Sequence, residues 1–144
     1  MNRTSGNPAT AGTLSTADRL EILQLIADHT RYEDSGQFEA WASLFTEDGS
    51  FIRRSGEPIV GRDALAAYSK KRLENPAVRT QIHWVGNVTI HPTEEGAYSE
   101  SYSMLIGNTP DGYKILKLAG KNDVIRRENS RWRFHSRRVT PLAE

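Results

Sequence analysis

The chain has 144 residues, enough for one domain that buries a core and a pocket as well. Nineteen Lys plus Arg against eighteen Asp plus Glu leave a formal charge of +1, a balance that points neither to nucleic acid nor to a membrane surface. With no cysteine, disulfides, thiol catalysis and thiolate metal sites are excluded.

No stretch approaches the ~18 apolar residues of a membrane-spanning helix. The N-terminus lacks a charged start followed by an apolar run, so no signal peptide is expected and a cytoplasmic protein is the default. Residues 1–14, MNRTSGNPATAGTL, are small, polar and without periodicity, and read as a disordered tail before a single domain over 15–144.

Ser15 or Thr16 can cap a helix that runs to about Ser35, where Gly36 ends it. Ile22, Leu25, Ile26 and His29 share one apolar arc at helical spacing; Leu20, Leu23 and Ala27 widen it, and Tyr32 lies at its edge. Asp34 projects between Leu23 and Ala27 if the helix lasts that long. An Asp on the inner side of such a helix must be paired or functional. If the helix frays before Gly36, Asp34 faces water instead.

Phe38, Trp41, Ala42, Leu44 and Phe45 have the spacing of a short second helix. Ser50 to Arg54 reads as a brief strand, and Arg62 to Glu74 as a third helix closed by Asn75-Pro76. After Pro76 the period becomes extended. Four strands are expected over Arg79–His91, Tyr98–Ile106, Tyr113–Ile125 and Arg131–Val139, joined by short turns and therefore antiparallel. This is an α+β domain whose helices cover one face of a curved sheet.

His83 lies early in the first long strand, where both faces carry apolar bulk: Val85 on its own parity, Ile82, Trp84, Val88 and Ile90 on the other. An imidazole oriented by a carboxylate is a usable general base near neutral pH. A tyrosine such as Tyr32 can polarise a substrate oxygen. Arg131, Arg133 and Arg137 alternate with Trp132, Phe134 and Ser136, the pattern of a solvated outer strand face. Metal-ligand spacings, a phosphate-binding glycine loop and the GxSxG motif are absent, so catalysis would rest on side chains, without metal or cofactor.

Four segments in order, DRLEILQLIADHTRYEDSGQFEAWASLFTEDGSF, IVGRDALAAY, TQIHWVGNVTI and RWRFHSRRV, resemble the SnoaL-like branch of the NTF2-like superfamily, over roughly residues 16–139. By motif the nearest relatives look like scytalone dehydratase, bile acid 7α-dehydratase and hexachlorocyclohexane dehydrochlorinase. The resemblance implies a cone-shaped α+β fold and a cofactor-free eliminating chemistry run by a His–Asp pair. The pair falls on His83 and Asp34, with Tyr32 or His29 polarising the leaving or carbonyl oxygen. Scytalone dehydratase carries a second histidine where this chain reads KILKLAGKND, and Asn122 or Lys121 would have to stand in.

The reading that follows is a cofactor-independent lyase or isomerase acting on a hydrophobic cyclic molecule. Phe38, Trp41, Phe51, Tyr68, Tyr102 and Asn122 are expected to bind that substrate. A homodimer or homotrimer is expected, because helices can cover only one face of the sheet. The rivals are an epoxide hydrolase, which would need an Asp–Arg–Asp relay using Arg31 or a last-strand arginine, and a non-catalytic binding or assembly domain.

Overall fold

The computed structural model describes residues 12–142. Most of the expected tail therefore lies outside the described residues. Of its last three, Gly12 donates its N–H to the Thr93 carbonyl at 3.3 Å and Leu14 packs against the core.

Helix α1 spans Thr16–Ser35. A capping box starts it: the Ser15 hydroxyl accepts from the Asp18 N–H at 3.0 Å, and the Asp18 carboxylate accepts from the Ser15 N–H at 2.9 Å. Gly36, at φ 76°, ends it in the left-handed conformation that a side chain would resist. Ile22, Leu25, Ile26 and His29 are buried as expected. Leu20 and Leu23 are exposed, so the apolar arc is narrower than the sequence implied and the helix lies against the sheet on one side only.

Two shorter helices follow, α2 at Phe38–Ser43 and α3 at Arg62–Arg72. A 3₁₀ turn at Pro76–Thr80 occupies what was expected to be the start of the first long strand, because the Asn75 side chain accepts from the Ala77 N–H and Pro76 favours the turn.

The sheet has six strands: β1 Phe45–Ile52, β2 Pro58–Val60, β3 Gln81–Thr93, β4 Gly96–Thr109, β5 Gly112–Glu128 and β6 Arg131–Pro141. Their order is β2-β1-β6-β5-β4-β3. The four long strands form the expected antiparallel meander. The early strand is longer than expected, starting at Phe45, and pairs in parallel with β6, so the sheet is mixed.

Register shifts bend the sheet around the helices. One falls between Gly86 and Thr89 in β3, where Asn87 has φ 53°, and another between Val124 and Ile125 opposite β6. The first brings Val88 and Ile90 onto the core side along with Val85. The second reverses the parity of β6. Trp132 and Phe134 point inward before it, and Arg137 points inward after it, so Arg137 is fully buried rather than on the solvated face expected for it.

The core is an aromatic cluster of Trp41, Phe45, Phe51 and Phe134 closed by Ile22, Leu25, Ile26, Leu65 and Ile125. Beyond it, toward the other end of the cone, the inner face turns polar, with Ser99, Ser101, Ser103, Lys121, Asp123 and Arg137 all buried. No helix among the described residues is long and apolar enough to cross a membrane.

Candidate active site

The last turn of α1 delivers two adjacent carboxylates to the first residues of β3. Asp34 accepts two hydrogen bonds from one residue: the His83 backbone N–H at 2.9 Å and the His83 ring Nδ1 at 2.7 Å. Glu33 Oε1 lies 3.0 Å from the same Nδ1, close enough to act on the ring by charge and to share its proton when the ring turns from Asp34. Arg72, from the last turn of α3, stands 3.9 Å from Glu33 on its other side.

Acidic side chains at a helix C-terminus oppose the helix dipole. Here His83 and Arg72 compensate them. Burial pulls the His83 ring down, and the two carboxylates override it, so its pKa lies above the ordinary value. Burial pushes Glu33 up, and the His83 ring beside it more than reverses this, leaving Glu33 well below the usual carboxylate range.

With Nδ1 committed to Asp34, Nε2 is the ring nitrogen left for chemistry. The ring lines a cavity of about 260 Å³ inside the cone. Phe51, Tyr68, Leu105, Ala119 and Val139 supply its apolar wall. Glu33, Ser103 and Lys121 supply buried polar groups, and Arg53, Arg54, Arg72 and Lys117 bring positive charge. The lining is therefore mixed, and more cationic than the hydrophobic pocket expected. Glu33, Asp34 and His83 have donor atoms within 4.8 Å of one another, the spacing a metal ion could use. Within the cluster Asp34 is hydrogen-bonded to His83, and Arg72 offsets part of its negative charge.

The model of the SnoaL-like domain family matches residues 15–138. The chain belongs to the SnoaL-like domain family. Among solved structures, a substituted form of a Mycobacterium tuberculosis protein of unknown function is 28% identical, with a TM-score of 0.79, covering 92% of this chain and 79% of the other. An NTF2-like protein with a cystatin-like fold from Novosphingobium aromaticivorans is 22% identical, with a TM-score of 0.79 and coverage of 91% and 92%. ActVI-ORFA from Streptomyces coelicolor is 21% identical, with a TM-score of 0.73 and coverage of 88% and 96%. These likenesses establish the NTF2-like, cystatin-like fold. No curated protein matches.

Within this SnoaL-like domain the residues expected at the site separate into three groups. Asp34, His83, Phe51 and Tyr68 converge on the cavity. His29 and Trp41 do not line it. His29 is fully buried among Trp41, Phe45, Phe51 and Phe134, with ring centroids 5.2 to 6.0 Å away, and neither ring nitrogen has a hydrogen-bond partner among the described residues. Burial and the charge of Arg137 hold it neutral, well below the ordinary histidine pKa. Tyr32 lines a separate groove with Trp132 and Leu44, and Phe38 carries Lys70 over its ring at 5.7 Å.

Tyr102 and Asn122 form the third group, on the opposite face of the sheet. They line a groove of about 840 Å³ with Thr89 and Glu100, and Asn122 accepts from the Tyr98 hydroxyl at 3.2 Å. Strand alternation is the reason: Ser101, Ser103 and Lys121 point into the cone, so Tyr102 and Asn122 point out. The groove is larger, yet it holds no base with an orienting partner.

Glu33 and Lys121 are the site residues that sequence reasoning passed over or left open. Glu33 is the immediate neighbour of Asp34, and a helix ending at Gly36 brings both to β3. Lys121 is 6% exposed, and burial together with Arg137 lowers it to about 8. Asp123, on the same strand face, is 3.2 Å from Arg137, both fully buried, and burial raises it to about 6 despite that partner.

Proposed function

We propose that this SnoaL-like protein is a cofactor-independent lyase or isomerase that removes a proton from carbon in a small cyclic substrate, with His83 as the general base. The observation that carries this is the double hydrogen bond from His83 to Asp34. It fixes both the backbone position and the ring tautomer of an imidazole facing a cavity.

In this reading Asp34 keeps the Nδ1 proton in place and stabilises the imidazolium that forms. Nε2 then holds the lone pair, takes the proton from carbon beside an activating group, and returns it to the leaving oxygen or to a second carbon. Glu33 deepens the negative field behind the ring. It is itself a poor base, because its own pKa is driven down. The Tyr68 hydroxyl, raised by burial above the ordinary phenol value, stays protonated and is the donor for the developing oxyanion.

The hydrolase alternative has less support. Arg31 lines a groove away from His83, and Arg137 pairs with Asp123 alone among the described residues. A screen of cyclic β-hydroxy ketones and β-hydroxy acids for loss of water, and of cyclic enones for double-bond migration, tests the proposal. Turnover by the wild type that His83→Ala abolishes supports it. Binding without turnover across the panel would favour a carrier or sensor.

A further inference from the structure

The charges around the cavity do not cancel. Glu33 and Asp34 are balanced by His83, whose protonated form they favour, and by Arg72 at 3.9 Å from Glu33. Arg53 pairs with Glu57 and lies over the Tyr68 ring. Asp123 and Arg137 pair with one another. This leaves Arg54 and Lys117, both exposed, together with Lys121. Among the described residues none of the three is in an ion pair.

Lys121 is the telling member. It is only 6% exposed, its ammonium lies 5.8 Å from the centre of the Phe51 ring, and it forms no ion pair among the described residues. Asp123, two positions along the same strand, is engaged by Arg137, and Glu33 is engaged by His83 and Arg72. A cation on so largely buried a side chain is expensive: burial and then Arg137 lower it to about 8, against the pull of Glu33 and Asp123, whose charges are already shared with His83, Arg72 and Arg137. Its position in the wall of the cavity means that a bound anion could supply the missing partner.

We propose that the ligand of this cavity is a small ring-bearing organic acid whose carboxylate binds Lys121, with Arg54 and Lys117 drawing the anion in from the rim. The proposal rests on the reading of the cavity as a substrate site and names its substrate class. A cavity of about 260 Å³ is below the roughly 300–1,000 Å³ of common ligand pockets, which fits an acid built on a single ring. Phe51, Leu105 and Val139 offer the ring its apolar surface, and the Ser103 and Tyr68 hydroxyls can donate to the oxyanion.

Titration calorimetry at neutral pH and low salt, with benzoate, its neutral isostere benzamide, and inorganic phosphate as probes, tests this. Benzoate should bind at least about tenfold more tightly than either other probe. Lys121→Met should remove that advantage while leaving benzamide unchanged. Equal binding of benzoate and benzamide by the wild type would overturn the proposal. So would phosphate matching benzoate, which would mark an inorganic-anion site with no use for the ring. A second readout on the wild type covers the case in which Lys121→Met does not fold: the Lys121 side-chain ammonium resonance must shift on adding benzoate, and an unmoved signal would refute the contact. None of the probes has a proton for His83 to remove, so these outcomes are separate from the fate of the proton-transfer reading.

Discussion

Asp34→Asn interrogates the site at its hinge, because Asp34 accepts two hydrogen bonds from the same residue. An amide has one oxygen and one NH₂ group, so it can match only one of them. With the oxygen kept on the His83 backbone N–H, the NH₂ group meets Nδ1 and selects the tautomer protonated at Nε2. The nitrogen facing the cavity then has no lone pair. General-base catalysis contributes about 10²–10⁴ in rate, which bounds the loss in kcat. Glu33 Oε1 remains 3.0 Å from Nδ1 and can accept its proton in part. The single substitution should therefore fall near the lower bound of about 10², and Glu33→Gln/Asp34→Asn nearer about 10⁴. Losing the charge-assisted bond costs about 1.5–3 kcal/mol, readable as a lower urea midpoint. The assay is kcat for whichever cyclic compound the wild type turns over, alongside circular dichroism to show that the fold persists. A folded Asp34→Asn protein with kcat within about threefold of wild type would refute the role given to the pair.

The pH profile should show kcat/KM rising with pH through the raised His83 pKa, since the deprotonated ring is the base; a flat profile between pH 6 and 8, values of about neutral range, would count against it. Stability runs the other way: the contribution of the His83–carboxylate cluster is complete below the ordinary 6.5 and is lost as pH rises through the folded value, which His83→Gln should flatten in thermal melts. Arg137→Met leaves Asp123 buried without its partner and should cost about 3–5 kcal/mol in urea denaturation, most of it recovered by Arg137→Met/Asp123→Leu. His29→Phe, which keeps an aromatic ring in the core, should leave turnover within about threefold, because His29 does not line the cavity. The outer face of β3–β5 exposes Ile82, Trp84, Ile115 and Leu118, with Trp84 at 61%, so we expect self-association there; Trp84→Glu should raise the dimer dissociation constant in analytical ultracentrifugation, and a wild type that sediments as a monomer at tens of micromolar would refute it, being about the range of weak specific contacts.

Much of this molecule can be read from its residues, and the parts that cannot share a physical origin. Helical spacing from Ile22 to His29, with Gly36 as a stop, places Asp34 in the last turn of α1, and the change of period at Pro76 announces the meander. Those signals are local and repeat several times along the chain. What a linear pattern does not carry is the position of a bulge. The shift at Asn87 moves Val88 and Ile90 to the core side, and the one opposite β6 turns Arg137 inward from a run of arginines that otherwise alternates with aromatic residues. The choice between Lys121 and Asn122 is likewise a single step of parity, and it is settled only once Ser101 and Ser103 are seen to face the cone. His29 misleads for another reason: its helical position is on the buried arc, and burial there means aromatic packing rather than access to the cavity.

The most direct measurement of the central claim is the nitrogen NMR spectrum of the His83 ring followed through a pH titration. The geometry predicts that the neutral ring carries its proton on Nδ1, held by Asp34, with a free Nε2, and that it titrates above the ordinary 6.5. A neutral ring protonated on Nε2, or a midpoint below 6.5, would contradict His83 as the base of this site.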